Sequence, residues 1–143
     1  MKTVERSAIV RYSAPQMYGL VNDVARYPDF LPWCHSARVE EVAVFERIAT
    51  LGIARGLLRT QFTTHNLLEP DVGITMSLVD GPFRKLLGRW CFEAIGARGS
   101  RVSFRVEFEF KNALTAAAFN AIFEALCGSI VAAFAARAQA IYA

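Results

Sequence analysis

Histidine, lysine and cysteine are all scarce in this chain. Among 143 residues, His35 and His65 are the only histidines, and Lys2, Lys85 and Lys111 the only lysines. The cysteines Cys34, Cys91 and Cys127 are odd in number and show no CxxC spacing. That argues against a disulfide scaffold and a zinc site, and it leaves buried thiols as the plain reading. No apolar run reaches the roughly 18 uninterrupted residues of a membrane span. The most apolar stretch, Ala113–Ala136, is broken by Thr115, Asn120, Glu124 and Ser129. The N-terminus carries Glu5, Arg6 and Arg11 where a signal peptide needs an apolar segment. A Gly-rich phosphate loop is missing too, because Gly52–Gly56 lacks the lysine and the helix that should follow. Repeats, linkers and low-complexity segments are absent. These absences point to one domain over residues 1–143, in the cytoplasm, with a peripheral contact to the inner membrane left open.

Apolar and arginine residues fill the chain instead. Hydrophobic residues make up 54%, mean hydropathy is +0.28, and 16 basic against 13 acidic residues leave a mild net charge of +3. Most of the basic residues are arginines, which suit carboxylates, phosphates and RNA backbones, although a composition bias gives the same count. The clearest pattern lies in the last third. Over Arg101–Lys111, Val102, Phe104, Val106, Phe108 and Phe110 alternate with polar residues, a strand with one dry face. Asn112 then offers an N-cap side chain, and a long helix runs to Tyr142 with Phe119, Ile122, Phe123, Leu126, Ile130 and Phe134 at helical spacing.

Upstream, Thr3–Tyr12 reads as a strand. Ser13 caps a helix with Pro15 in its first turn, and the prolines in Ala25–Pro32 allow only a short helical turn. Ala37–Val44, Arg47–Ala54, Leu58–Leu68, Gly73–Val79 and Arg84–Ile95 follow as strands, and Asp80-Gly81-Pro82 is a strong turn signal. Strands joined by short turns pair antiparallel, and helices segregated from strands indicate α+β. The order predicts a curved seven-stranded antiparallel sheet gripping a long C-terminal helix, with two short helices after the first strand.

Several stretches resemble one family. Tyr27-Pro28-Asp29-Phe30-Leu31-Pro32-Trp33-Cys34 resembles the YPxFLPWC motif of the START-like coenzyme Q-binding proteins, a family that includes the ribosome-association toxin RatA. Val79–Trp90 resembles its VDGPFKKLxGxW segment, Phe62–Asn66 its FTTRN stretch, and Phe108-Glu109-Phe110 its FEF. Cys91 stands where lysine is common and His65 where arginine is, so charge contacts at those two positions do not carry over. The resemblance covers nearly the whole chain and implies a START/Bet v 1-like helix-grip fold. It also implies non-enzymatic binding of ubiquinone or a related isoprenoid in support of respiratory electron transport. The alternative it carries is a RatA-type toxin that binds the large ribosomal subunit and blocks subunit association. The wider polyketide cyclase/dehydrase superfamily adds a third reading, a cyclase-type enzyme, which would need polar groups inside the cavity.

The residues themselves give a candidate site without catalytic or metal-binding members and without a cofactor. Tyr27, Phe30, Leu31 and Trp33 form an apolar cluster that either plugs the open end of the sheet or gates a lipid. Phe83 is a buried turn residue or part of a ligand-contacting loop. Trp90, Phe92, Phe104, Val106 and Phe108 on the strands, with Phe119, Phe123 and Leu126 on the helix, are core by default and become ligand contacts only around a cavity. Adjacent Cys34 and His35 diverge on an extended segment and lack a third orienting group. Glu107 and Glu109 alternate with Arg105 and Lys111 on a wet strand face, which favours salt links over acid–base chemistry. Arg55, Arg59, Arg84, Lys85 and Arg89 are the residues that a basic docking face would gather.

Overall fold

Alternation sets the strands and short turns set their order. The computed structural model describes residues 1–142. β1 (Lys2–Val10) is followed by α1 (Ala14–Asn22) and a 3-10 turn (Val24–Asp29). A meander of β2 (Cys34–Ala43), β3 (Glu46–Arg55), β4 (Leu58–Glu69), β5 (Gly73–Asp80), β6 (Phe83–Ile95) and β7 (Gly99–Phe110) leads into α2 (Ala113–Tyr142). The sheet order is β1-β7-β6-β5-β4-β3-β2, antiparallel throughout. Only β1 pairs with a strand distant in sequence, placing Lys2 opposite Phe108 and Val10 opposite Ser100.

The helix starts follow from their caps. Ser13 Oγ accepts from the Gln16 N–H at 3.2 Å while Gln16 Oε1 accepts from the Ser13 N–H at 2.9 Å, a reciprocal capping box. Asn112 Oδ1 accepts from the Thr115 N–H at 2.8 Å and opens α2. A few strand ends move from their sequence-based positions. β2 begins at Cys34, three residues before Ala37, because Cys34 already pairs with Ile53 and the Ala54 N–H donates to the Trp33 carbonyl at 2.8 Å. Tyr12 lies beyond β1, where its carbonyl accepts from the Ser100 hydroxyl at 2.8 Å. Lys111 lies beyond β7, its N–H donating to the Pro82 carbonyl at 2.9 Å.

Two irregularities explain the Val79–Phe83 segment. A bulge between Phe83 and Lys85 inserts Arg84, so Phe83 and Leu86, three residues apart, both face the core. Gly81 sits at φ +147°, and a Cβ there would lie 2.7 Å from the Phe62 Cβ. Both the backbone and the space exclude a side chain. Gly81→Ala is therefore expected to cost about 1–3 kcal/mol. Gly19→Ala, in α1 with nothing within 4 Å of the added carbon, should gain about 0.5–1 kcal/mol. Urea midpoints of the two variants check this.

The helix α2 lies across the concave face, burying Phe123, Leu126, Cys127, Ile130, Val131, Phe134 and Ala138. Gly128 lets it pass over Arg6, whose Nη2 lies 3.1 Å from where a Cβ would stand. Two aromatic clusters form beneath the helix. Phe123 packs on Phe108 and Phe83 with centroids 4.8 and 5.0 Å away. Phe134 packs on Tyr27, Phe30 and Trp90 at 5.3, 5.2 and 5.3 Å. Edge-to-face geometry dominates both, as ring quadrupoles favour.

Candidate functional site

Leu126, Cys127 and Ile130 bridge the two aromatic clusters along α2 and roof a small cavity of about 80 Å³. Its walls are mainly apolar: Val21 near the end of α1, Val24 at the start of the 3-10 turn, Ala49 and Leu51 on β3, Ile74 and Met76 on β5, Leu86 and Gly88 on β6. Among the described residues, no Lys, Arg, His, Asp or Glu lines it. A charged ligand would therefore lose its hydration without a counter-ion, which excludes it on solvation grounds.

Of the residues singled out from sequence, Tyr27, Trp33, Trp90, Phe104, Val106, Phe123 and Leu126 stand on the cavity wall. The other six lie off it, because neighbouring rings or backbone occupy the space between. Phe30 packs on Tyr27 and Phe134 with the Arg137 guanidinium 4.9 Å from its ring centroid. Leu31 is buried in the turn before β2. Phe83 stacks on Phe110 at 4.8 Å, Phe108 fills the space between Phe83 and Phe123, and Phe119 is half-buried against Phe110. Phe92 packs between Trp90 and Tyr18.

Sequence reasoning missed the polar part of the wall. Thr64 and Asn66 face inward from β4 and are 7% and 5% exposed, and Asn22 joins them from the end of α1. The Thr64 hydroxyl donates to Asn66 Oδ1 at 2.7 Å. The signal was present in the alternation. Once Arg59, Gln61, Thr63 and His65 take the wet face, Phe62, Thr64 and Asn66 must take the dry one.

The titratable groups at the cavity are held neutral. Burial, with smaller contributions from Cys34 and Asp23, pushes the Tyr27 phenol far above its ordinary value, and its hydroxyl donates to the Val21 carbonyl. Tyr27→Phe leaves that buried carbonyl unpaired, so a loss of about 1–3 kcal/mol is expected in chemical denaturation. Burial, assisted by Glu124, pushes the Cys127 thiol up to about 12, and burial likewise raises Cys34. Neither thiol supplies a thiolate near neutral pH. Cys34 is buried while His35 is exposed, so the two point to opposite faces. His65 lies on the outer face, Nε2 3.1 Å from Glu46 Oε2.

On the outside of the sheet the expected basic group divides. Arg84, Lys85 and Arg89 pair with Glu109, Glu107 and Glu69 at 3.9, 3.2 and 2.8 Å. Arg55 and Arg59 are exposed at the β3–β4 hairpin, without an acidic partner within 4 Å among the described residues. Glu107 accepts from Arg105 at 3.1 Å and from Lys85 at 3.2 Å, and these bonds hold its carboxyl below the usual range. A depressed folded-state pKa gives stability that is present above the unfolded value and is lost as pH falls through the folded one. Glu107→Gln should flatten that acid-side loss, which an acid titration of Tm for both proteins measures.

The architecture is that of a START-like helix-grip protein with a small apolar chamber. A family model described as polyketide cyclase/dehydrase and lipid transport matches residues 10–135, and the chain belongs to that family. It is 45% identical over 142 residues to the Ribosome association toxin RatA of Vibrio cholerae, covering 99% of both chains. It is 28% identical over 134 residues to the mitochondrial Coenzyme Q-binding protein COQ10 of Drosophila melanogaster, covering 90% of this chain and 55% of that one. The Zhui aromatase/cyclase of Streptomyces sp. R1128 superposes with a TM-score of 0.85 at 16% identity, over 96% of this chain and 93% of the other. A START superfamily protein of Mycobacterium smegmatis superposes with a TM-score of 0.80 at 17% identity, over 97% and 98%. At those identities the two structures speak to fold alone.

Proposed function

We propose that this chain is a non-enzymatic cytoplasmic protein of the RatA type that binds the large ribosomal subunit and hinders its association with the small one. The observation that carries this reading is the 45% identity, end to end, with a protein named for ribosome association. The cavity supports it from the other side. At about 80 Å³, it is roughly half the volume of an engineered apolar cavity of about 150 Å³ that takes benzene, so an isoprenoid quinone does not fit without opening the grip. The exposed arginines Arg11, Arg38, Arg55, Arg59 and Arg98 are suited to phosphate oxygens.

Cosedimentation with purified ribosomal subunits at graded salt tests the reading. If about three phosphates are contacted, affinity should fall roughly 40-fold between about 50 and about 200 mM salt. Failure to sediment with the large subunit even at low salt would overturn it.

A second reading is favoured by the cavity's apolar wall and by the 28% identity to a coenzyme Q-binding protein. In it the chamber holds a small uncharged hydrophobic molecule. Binding of small apolar compounds, followed by thermal stabilisation, tests it.

A further inference from the structure

Arg137 carries a charge that the fold leaves unanswered. It is half-buried on α2, and its guanidinium carbon stands 4.9 Å from the Phe30 ring centroid. That contact uses the face of the planar cation and leaves its N–H edges for acceptors. Among the described residues no carboxylate lies within 4 Å of it. Its Nε is closed to solvent and has no hydrogen-bond partner, the one buried side-chain nitrogen or oxygen so left among the described residues. Buried donors ordinarily find an acceptor, and a charged donor costs more when it does not. The same side chain lines a cleft of about 180 Å³ between the end of α1, the 3-10 turn and the last turns of α2. Leu20, Phe30 and Ile141 give this cleft apolar surface, and Asp23 and Arg26 complete its wall. None of these residues borders the chamber beneath α2.

We propose that the cleft is a binding site separate from the chamber, in which Arg137 takes the carboxylate of a small monocarboxylic acid and Leu20, Phe30 and Ile141 take its short apolar tail. The site stands apart from both readings above. Two coplanar oxygens match the N–H edge of a guanidinium whose face is already occupied by a ring. Charge selects a single negative group. Arg26 is flanked by Asp23 and Asp29, each 3.9 Å away, which leaves Arg137 as the cation of the cleft without a counter-charge. A doubly charged phosphate would set its second charge beside Asp23, and a cation would meet two arginines. No ion pair has to break first, so rotation about the terminal torsions of Arg137 turns its Nε edge to the ligand. The cleft slightly exceeds the roughly 150 Å³ that takes benzene, which suits a branched tail of about four carbons.

The test compares 3-methylbutanoate with 3-methylbutanamide, nearly the same shape without the charge, on wild type and on Arg137→Met. Dissociation constants come from chemical-shift titration of residues lining the cleft. Wild type should bind the acid about tenfold more tightly than the amide, and Arg137→Met should bring the two within about twofold. Arg137→Lys, which keeps the charge but not the two-pronged edge, should keep only part of the preference. If Arg137→Met fails to fold, the wild type still decides the matter: the Arg137 Nε–H proton should move downfield with the acid and much less with the amide. Equal affinity of the two compounds for wild type, a preference that survives Arg137→Met, or an Nε–H signal unmoved by the acid would each overturn the site. So would failure of the acid to bind wild type at all.

Discussion

Phe134→Ala should remove about 3–5 kcal/mol of stability, the range for a fully buried aromatic truncated in a core that cannot collapse around the gap. Phe134 is 0% exposed and touches Tyr27, Phe30 and Trp90. It thus joins the 3-10 turn, β6 and α2 at one point. Truncation removes three edge-to-face pairs together with the buried area. The surrounding rings have little freedom to relax, because Tyr27 is fixed through its hydroxyl to the Val21 carbonyl and Trp90 is pinned in the middle of β6. Leu114→Ala, at the 83% exposed start of the same helix, should stay within about 0.5 kcal/mol of wild type. Urea denaturation of the pair separates the packing role of α2 from its helix propensity. A Phe134→Ala loss near that of Leu114→Ala would mean that α2 does not close the core as described.

The second large effect concerns the proposed docking. Arg55 and Arg59 flank the β3–β4 hairpin, with Arg55 opposite Leu58 and Arg59 opposite Ala54. Gly56 at φ +59° forms the turn, and Leu57 at its tip is 88% exposed. Unlike Arg84, Lys85 and Arg89, these two arginines are not held by carboxylates. Reversing both, Arg55→Glu with Arg59→Glu, should weaken association with the large subunit about 100-fold at low salt. It should also reduce the slope of log affinity against log salt by about 2, one for each phosphate that is no longer neutralised. Arg84→Glu should change little, since Arg84 already faces Glu109 at 3.9 Å. Gradient cosedimentation of the two variants across a salt series checks both numbers.

Much of the fold is written in the sequence in a form that periodicity reads. β7 alternates without error, Ser13 and Asn112 cap the helices, and the turn residues fall at the hairpins. Strand ends are harder, because they depend on partners: Cys34 joins β2 only because Ile53 lies opposite. The bulge at Arg84 changes which residues face inward, and no local pattern announces it. The cavity wall was less legible than the fold. Tyr27, Trp33, Trp90, Phe104, Val106, Phe123 and Leu126 stand on it, yet Phe83, Phe108 and Phe119 carry the same signal and pack against neighbouring rings. An inward aromatic looks alike in sequence whether a ring or a void lies beyond it. Reading β4 from its polar side would have found Thr64 and Asn66. Their residue types argued for the surface, and only the register of the strand places them inside.

Subunit joining is the most direct probe of the central proposal. Purified large and small ribosomal subunits are mixed under associating conditions with increasing amounts of the protein and resolved on a sucrose gradient. If the protein acts as proposed, it travels with the large subunit, and free subunits accumulate at the expense of the joined particle in proportion to the protein added. A joined-particle peak that stays constant, with the protein remaining at the top of the gradient at low salt, would contradict it.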